Sequence, residues 1–199
     1  MNTVRMLIAL AALAWLVSCA KPPQAEIDAA KAALDAASKS ADVVTYAPDS
    51  LRLAQEKAAE LDGEITAQSH RSALSRRYDA VKELAAAAAD AARKAIADAG
   101  TSKAQVALDA SSLLQEVSAA IPTVESKVWA AKRVPRIRQE IIAPLALVPD
   151  MARRTVDDAG RDIGAGSFAI AKAKLMAVKD RLSNCEETIA EQTRIARGH

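Results

Sequence analysis

Residues 72–99 read SALSRRYDAVKELAAAAADAARKAIADA. Within them Leu74, Tyr78, Val81, Ala85, Ala88, Ala92 and Ala95 recur at alternating intervals of 4 and 3 residues, the rhythm of a helix with one narrow apolar seam. Alanine, the strongest helix former, is the commonest residue at the other positions, and no β-branched or aromatic run of strand type interrupts it. The spacing predicts a helix over 72–99, stopped by Gly100. A seam lined mainly by methyl groups lets a neighbouring helix approach closely, and each residue then buries little apolar area.

The same rhythm extends in both directions. Upstream, Ile27, Ala30, Leu34, Ala37, Ala41 and Val44 predict one helix over 24–45. Tyr46-Ala47-Pro48-Asp49 breaks it and starts the next, since proline suits the first helical position and an acidic group favours the first turn. That helix carries Leu51, Ala54, Ala58, Leu61 and Ile65, with a turn expected over 67–71. Downstream, Ser102 and Gln105 have the spacing of a capping box opening a new helix, with Val106, Ala110, Leu113, Val117 and Ala120 or Ile121 on its seam. Pro122 is expected to kink or break that helix, and Pro122, Pro135, Pro144 and Pro149 to divide 122–148 into short pieces. After Pro149 come Ala152, Val156, Ala159 and Ile163, the turn Gly164-Ala165-Gly166-Ser167, and a last helix bearing Ala171, Leu175, Val178, Leu182, Cys185 and Ile189.

The expected fold is therefore all-α, an antiparallel helical bundle or stacked helical hairpins. The expected division is N-terminal hairpins over 24–121, a proline-broken basic segment over 122–148, and a C-terminal hairpin over 149–199. Two passages echo each other: Ala47-Pro48-Asp49 with Val148-Pro149-Asp150, and Ala80-Val81-Lys82 with Ala177-Val178-Lys179. The correspondence suggests a duplicated helical hairpin.

The start of the chain has a different character. Arg5 precedes an apolar run over 6–17, which ends in the small residues before Cys19. This is the layout of a cleaved secretory signal, too short for a membrane span. Removing residues 1–18 of the 199 leaves 181, enough for one domain or two small ones with a core. Of the 27 basic and 25 acidic residues only Arg5 is lost, so the balance becomes +1. Such a charge, with no basic tract interleaved with aromatics, gives no case for nucleic acid as a partner. Lys21-Pro22-Pro23 forms a spacer over 19–23 together with Cys19.

Leu16-Val17-Ser18-Cys19 resembles the lipobox of bacterial lipoproteins. The resemblance implies cleavage between Ser18 and Cys19, acylation of Cys19, and a membrane-anchored periplasmic protein. Ala20, rather than an acidic residue, follows the cysteine, which by resemblance to the enterobacterial sorting pattern implies the periplasmic face of the outer membrane. The next ~80 residues, an Ala-rich helix followed by Tyr46-Ala47-Pro48 and Leu51-x-x-Ala54, are similar to a family of Ala-rich helical lipoproteins of unknown function. That resemblance implies an address and a helical hairpin, and no activity.

Residues able to carry chemistry are few. His70 and His199 have no cysteine, histidine or carboxylate at metal-ligand spacing, so no metal is expected. Gly160-x-x-x-Gly164-x-Gly166 lacks the Lys-Ser/Thr ending of a phosphate loop, and no serine sits in a nucleophile elbow. Asp157 and Asp158 are adjacent on a helix and point in different directions. Cys185, on an apolar seam, reads as a buried core residue, and with Cys19 acylated it has no disulfide partner within the chain. No catalytic residue and no cofactor is expected. Trp129 with Lys132, Arg133, Arg136 and Arg138 forms the densest basic cluster. It reads either as a solvated helix face or as a contact for anionic lipid or an acidic partner, with Trp129 as its amphipathic anchor. The resulting expectation is a non-enzymatic interaction or scaffold module that docks an envelope protein. The alternative is a helical carrier of an apolar ligand.

Overall fold

The computed structural model describes residues 21–73, 75–134 and 136–198. Leu16, Val17, Ser18, Cys19, Leu74, Pro135 and His199 lie outside them. The described chain is all-α, with α1 (Gln24–Lys39), α2 (Ala41–Tyr46), α3 (Pro48–Ser69), α4 (Asp79–Lys132), α5 (Gln139–Leu145), α6 (Val148–Gly164) and α7 (Phe168–Ala196). It divides into two compact units between Gly100 and Thr101.

In the first unit two small cores fix the helix directions. Ile27 and Ala30 of α1 meet Leu61 of α3 and Val81, Ala85 and Ala88 of α4. Ala37, at the far end of α1, shares a core with Leu51, Ala54, Ala92, Ala95 and Ala99. α3 therefore runs opposite to α1 and α4, an up-down-up bundle. The seam predicted from Tyr78 to Ala95 is buried at every described position, as are Ile27, Ala30, Ala37, Leu51, Ala54 and Leu61.

The predicted single helix over 24–45 is instead two. Ser40 takes an extended conformation, and its hydroxyl accepts a 3.4 Å hydrogen bond from the Val43 N–H, capping α2. The break resets the register, so Val43 is buried and Val44, expected on the seam, is exposed. Pro48 and Asp49 open α3 as expected. α3 continues into the predicted turn at 67–71, as far as Ser69. Gln68 then ties down the 70–78 link: its side-chain oxygen accepts from the Arg77 N–H at 2.9 Å and its amide donates to Glu64 at 2.7 Å.

The largest departure is α4. Gly100 does not stop it, the Ser102–Gln105 pair opens no new helix, and Pro122 does not break it. Gln105 instead donates to Asp109 one turn on, at 2.8 Å. A helical glycine costs about 1 kcal/mol relative to alanine, and an interior proline about 3. Val117, Ile121, Val124 and Val128 are all buried on the face around Pro122. Each such side chain contributes about 1.5–3 kcal/mol, which outweighs the lost backbone bond.

In the second unit the part of α4 from Thr101 onward packs with α6 and α7 around one continuous core. Lys172 pairs with Asp109 and Lys179 with Glu116, an equal offset that makes α4 and α7 parallel, with α6 returning between them. The α7 seam from Ala171 to Ile189 is buried as predicted, Cys185 included. Gly166, at φ +78°, makes the α6–α7 corner, a conformation that costs an L side chain about 1–2 kcal/mol. Pro149 opens α6, whereas Pro144 lies inside α5. Each unit thus contains a longer helix, a short one, a proline-started one and another long one, in that order. The echo read in the sequence extends to the helix before each proline.

Candidate functional site

The basic cluster lies where α4 ends in the second unit. Ile137 and Ile142 are buried in the core and pin the 133–138 segment and α5 to the bundle. A buried residue at 137 in non-helical chain turns its neighbours outward, and Arg136 and Arg138 are both exposed, as is Arg133. The segment is held by backbone bonds from Val134 to Ala131 and from Ile137 to Val134, and by the Gln139 amide donating to the Lys132 carbonyl at 3.2 Å.

Arg133, Arg136 and Arg138 make no ion pair with any described residue, unlike several other long cations of this unit. Lys127 pairs with Glu186, Arg153 with Glu125 and Asp150, and Arg194 with Glu191. Over 129–147 the four cations face a single carboxylate, Glu140. Trp129 is 55 % exposed, and the Lys132 ammonium sits 5.1 Å from its ring centroid, within cation–π range.

The interhelical pairs set which residues share this end. Lys127–Glu186 places α7 beyond 186 level with the last turn of α4, and Arg153–Glu125 places the start of α6 there too. Leu147 (63 % exposed) and, one turn on, Met151 therefore belong to the same end as Trp129, whereas Ile195 (53 % exposed) and the exposed Arg197 lie in and just past the last turns of α7, beyond the level of Lys127. The sequence reading did not include these four. Leu147 and Met151 were detectable as apolar residues off the α6 seam, whereas the placement of Ile195 and Arg197 follows only from helix register.

Elsewhere the side chains singled out in the sequence stay apart. His70 is exposed at the end of α3, Asp157 is exposed, and Asp158 pairs with Arg161. Burial pushes the Cys185 thiol up from its ordinary range, with a smaller contribution from Glu186. Among the described residues no group of three or more His, Cys, Asp or Glu could hold a metal, and no helix is long and apolar enough to cross a membrane. Open grooves lie among the described residues, two of them sizeable. One, of about 370 Å³, lies between α1 and α3 over Ala30, Leu34, Ala58 and Leu61. The other, of about 470 Å³, follows the α4–α7 seam past Leu113 and Met176.

Comparison of the chain with protein-family models, with curated proteins and with solved structures finds no match.

Proposed function

We propose that this chain is a lipid-anchored, non-enzymatic helical module of a bacterial envelope, held at Cys19 on the periplasmic face of the outer membrane, where it docks an envelope protein. The observation carrying the module reading is the way the first unit closes its core. Ala37, Ala54, Ala92 and Ala95 are fully buried against one another, so three helices lie in close contact along their seams. Close seams make a stiff support, suited to presenting surfaces rather than enclosing a substrate. The anchor rests on Leu16-Val17-Ser18-Cys19.

Crosslinking in intact cells tests this, with Cys19→Ala as control. One discrete protein captured by the anchored form and lost in Cys19→Ala supports the module. Recovery of the chain alone in both forms counts against it.

A second reading is a carrier for an apolar ligand, favoured by the α1–α3 groove with Leu34 and Leu61 on its floor and the Lys31–Asp62 pair at its edge. Mass spectrometry of the chain purified without denaturant decides this. A stoichiometric apolar molecule, lost on Leu34→Arg, would favour the carrier.

A further inference from the structure

We infer that the α4–α5 end of the second unit seats on the headgroup layer of an anionic bilayer. Three features carry this. The first is charge: Arg133, Arg136 and Arg138 are exposed and unpaired among the described residues. Guanidinium is weakly hydrated and presents a planar fork of donors that matches phosphate oxygens in pairs. The second is apolar exposure. Trp129 and Leu147 stand out of the core at this end, with Met151 one turn further along α6, where water solvates them poorly and the headgroup–acyl boundary accommodates them. The third is Lys132 over Trp129, which places a cation beside an indole, the pairing that an interfacial tryptophan makes between a polar and an apolar layer.

An acidic peptide without apolar side chains would answer the charges alone. A bilayer answers both, because phosphates meet the guanidiniums and the layer beneath takes the indole and aliphatic side chains. The Cys19 anchor explains why a bilayer is near, but the surface itself does not depend on it.

The test uses the full chain with Trp15→Phe, which leaves Trp129 the only tryptophan. Vesicles are phosphatidylcholine alone or equal parts phosphatidylcholine and phosphatidylglycerol, with brominated acyl chains as quenchers. The expected result is a blue shift and quenching of Trp129 on anionic vesicles only, reversed by high salt. Arg133→Glu with Arg136→Glu and Arg138→Glu should weaken this partitioning about 100-fold, at several-fold per lost cation, with circular dichroism unchanged. Unquenched wild-type Trp129 on anionic vesicles, or equal quenching in the triple variant, overturns the inference. So does tight binding of polyaspartate with no vesicle binding, which would assign the surface to an acidic protein. Acyl labelling of Cys19 keeps the two readings separate. Quenching without a label removes the anchor alone, whereas label without quenching removes only this surface.

Discussion

Lys172 of α7 reaches Asp109 of α4 at 2.7 Å, and seven residues further along both helices Lys179 meets Glu116 at 2.6 Å. Equal steps on two parallel helices make these pairs successive rungs of one seam. The rungs flank the exposed side of the bundle, so they fix register more than they add stability.

Acidification should reveal the first of them. The Lys172 ammonium, with Gln105, holds the Asp109 carboxyl below its ordinary range; Lys94 and Ser50 do the same for Asp98, and Arg194 for Glu191. A carboxyl depressed in the folded state contributes stability above its unfolded pKa and loses it as pH falls through the folded value. Thermal melting should therefore drop below about pH 4. Asp109→Asn should be less stable at neutral pH and lose less on acidification, so the two melting curves converge. Parallel curves would mean that the pair contributes nothing.

Two glycines should respond oppositely to alanine. Gly100 lies within α4, and a Cβ there would meet no atom within 4 Å. Gly100→Ala should therefore stabilise the chain by about 0.5–1 kcal/mol. Gly166 also has open space around it, but its φ of +78° belongs to the left-handed region. Gly166→Ala should cost about 1–2 kcal/mol. Urea titration at matched m-values distinguishes the two signs.

Gln68 is 3 % exposed, and the Arg77 N–H depends on it. Gln68→Ala should cost about 0.5–1.5 kcal/mol, because the 70–78 link loses the bond that holds the Arg77 N–H. Hydrogen exchange at the Arg77 amide should speed up before global unfolding does. Unchanged exchange there would mean that the link is held by other contacts.

Leu182 lies in the α7 seam and is almost fully buried. Leu182→Asp places an unpaired carboxylate there and should destabilise the fold by about 4 kcal/mol or more. A circular dichroism melt like that of the parent chain would show that this seam opens to water.

The 3–4 rhythm could be read directly in α4 and α7 because their buried positions follow one unbroken period, from Tyr78 to Ala95 and from Ala171 to Ile189. Breaks were harder to read. Gly100 and Pro122 carry strong local signals of only about 1–3 kcal/mol, and the second was outweighed by burial of Val117, Ile121, Val124 and Val128. Ser40 looked ordinary within a continuous pattern, yet one hydroxyl cap there split a helix and turned Val44 outward. At the basic end, Arg133, Arg136 and Arg138 lie together in sequence. Leu147 and Met151 come to the same end only through the direction and offset of α6, which are tertiary facts.

The central claim, that the chain is held at a membrane through Cys19, is tested most directly by the intact mass of the protein recovered from cell membranes. A Cys19 anchor requires a chain that begins at Cys19, heavier than its sequence by the mass of the attached lipid, and a Cys19→Ala form without that added mass. A recovered chain that begins elsewhere, or at Cys19 without added mass, would contradict it.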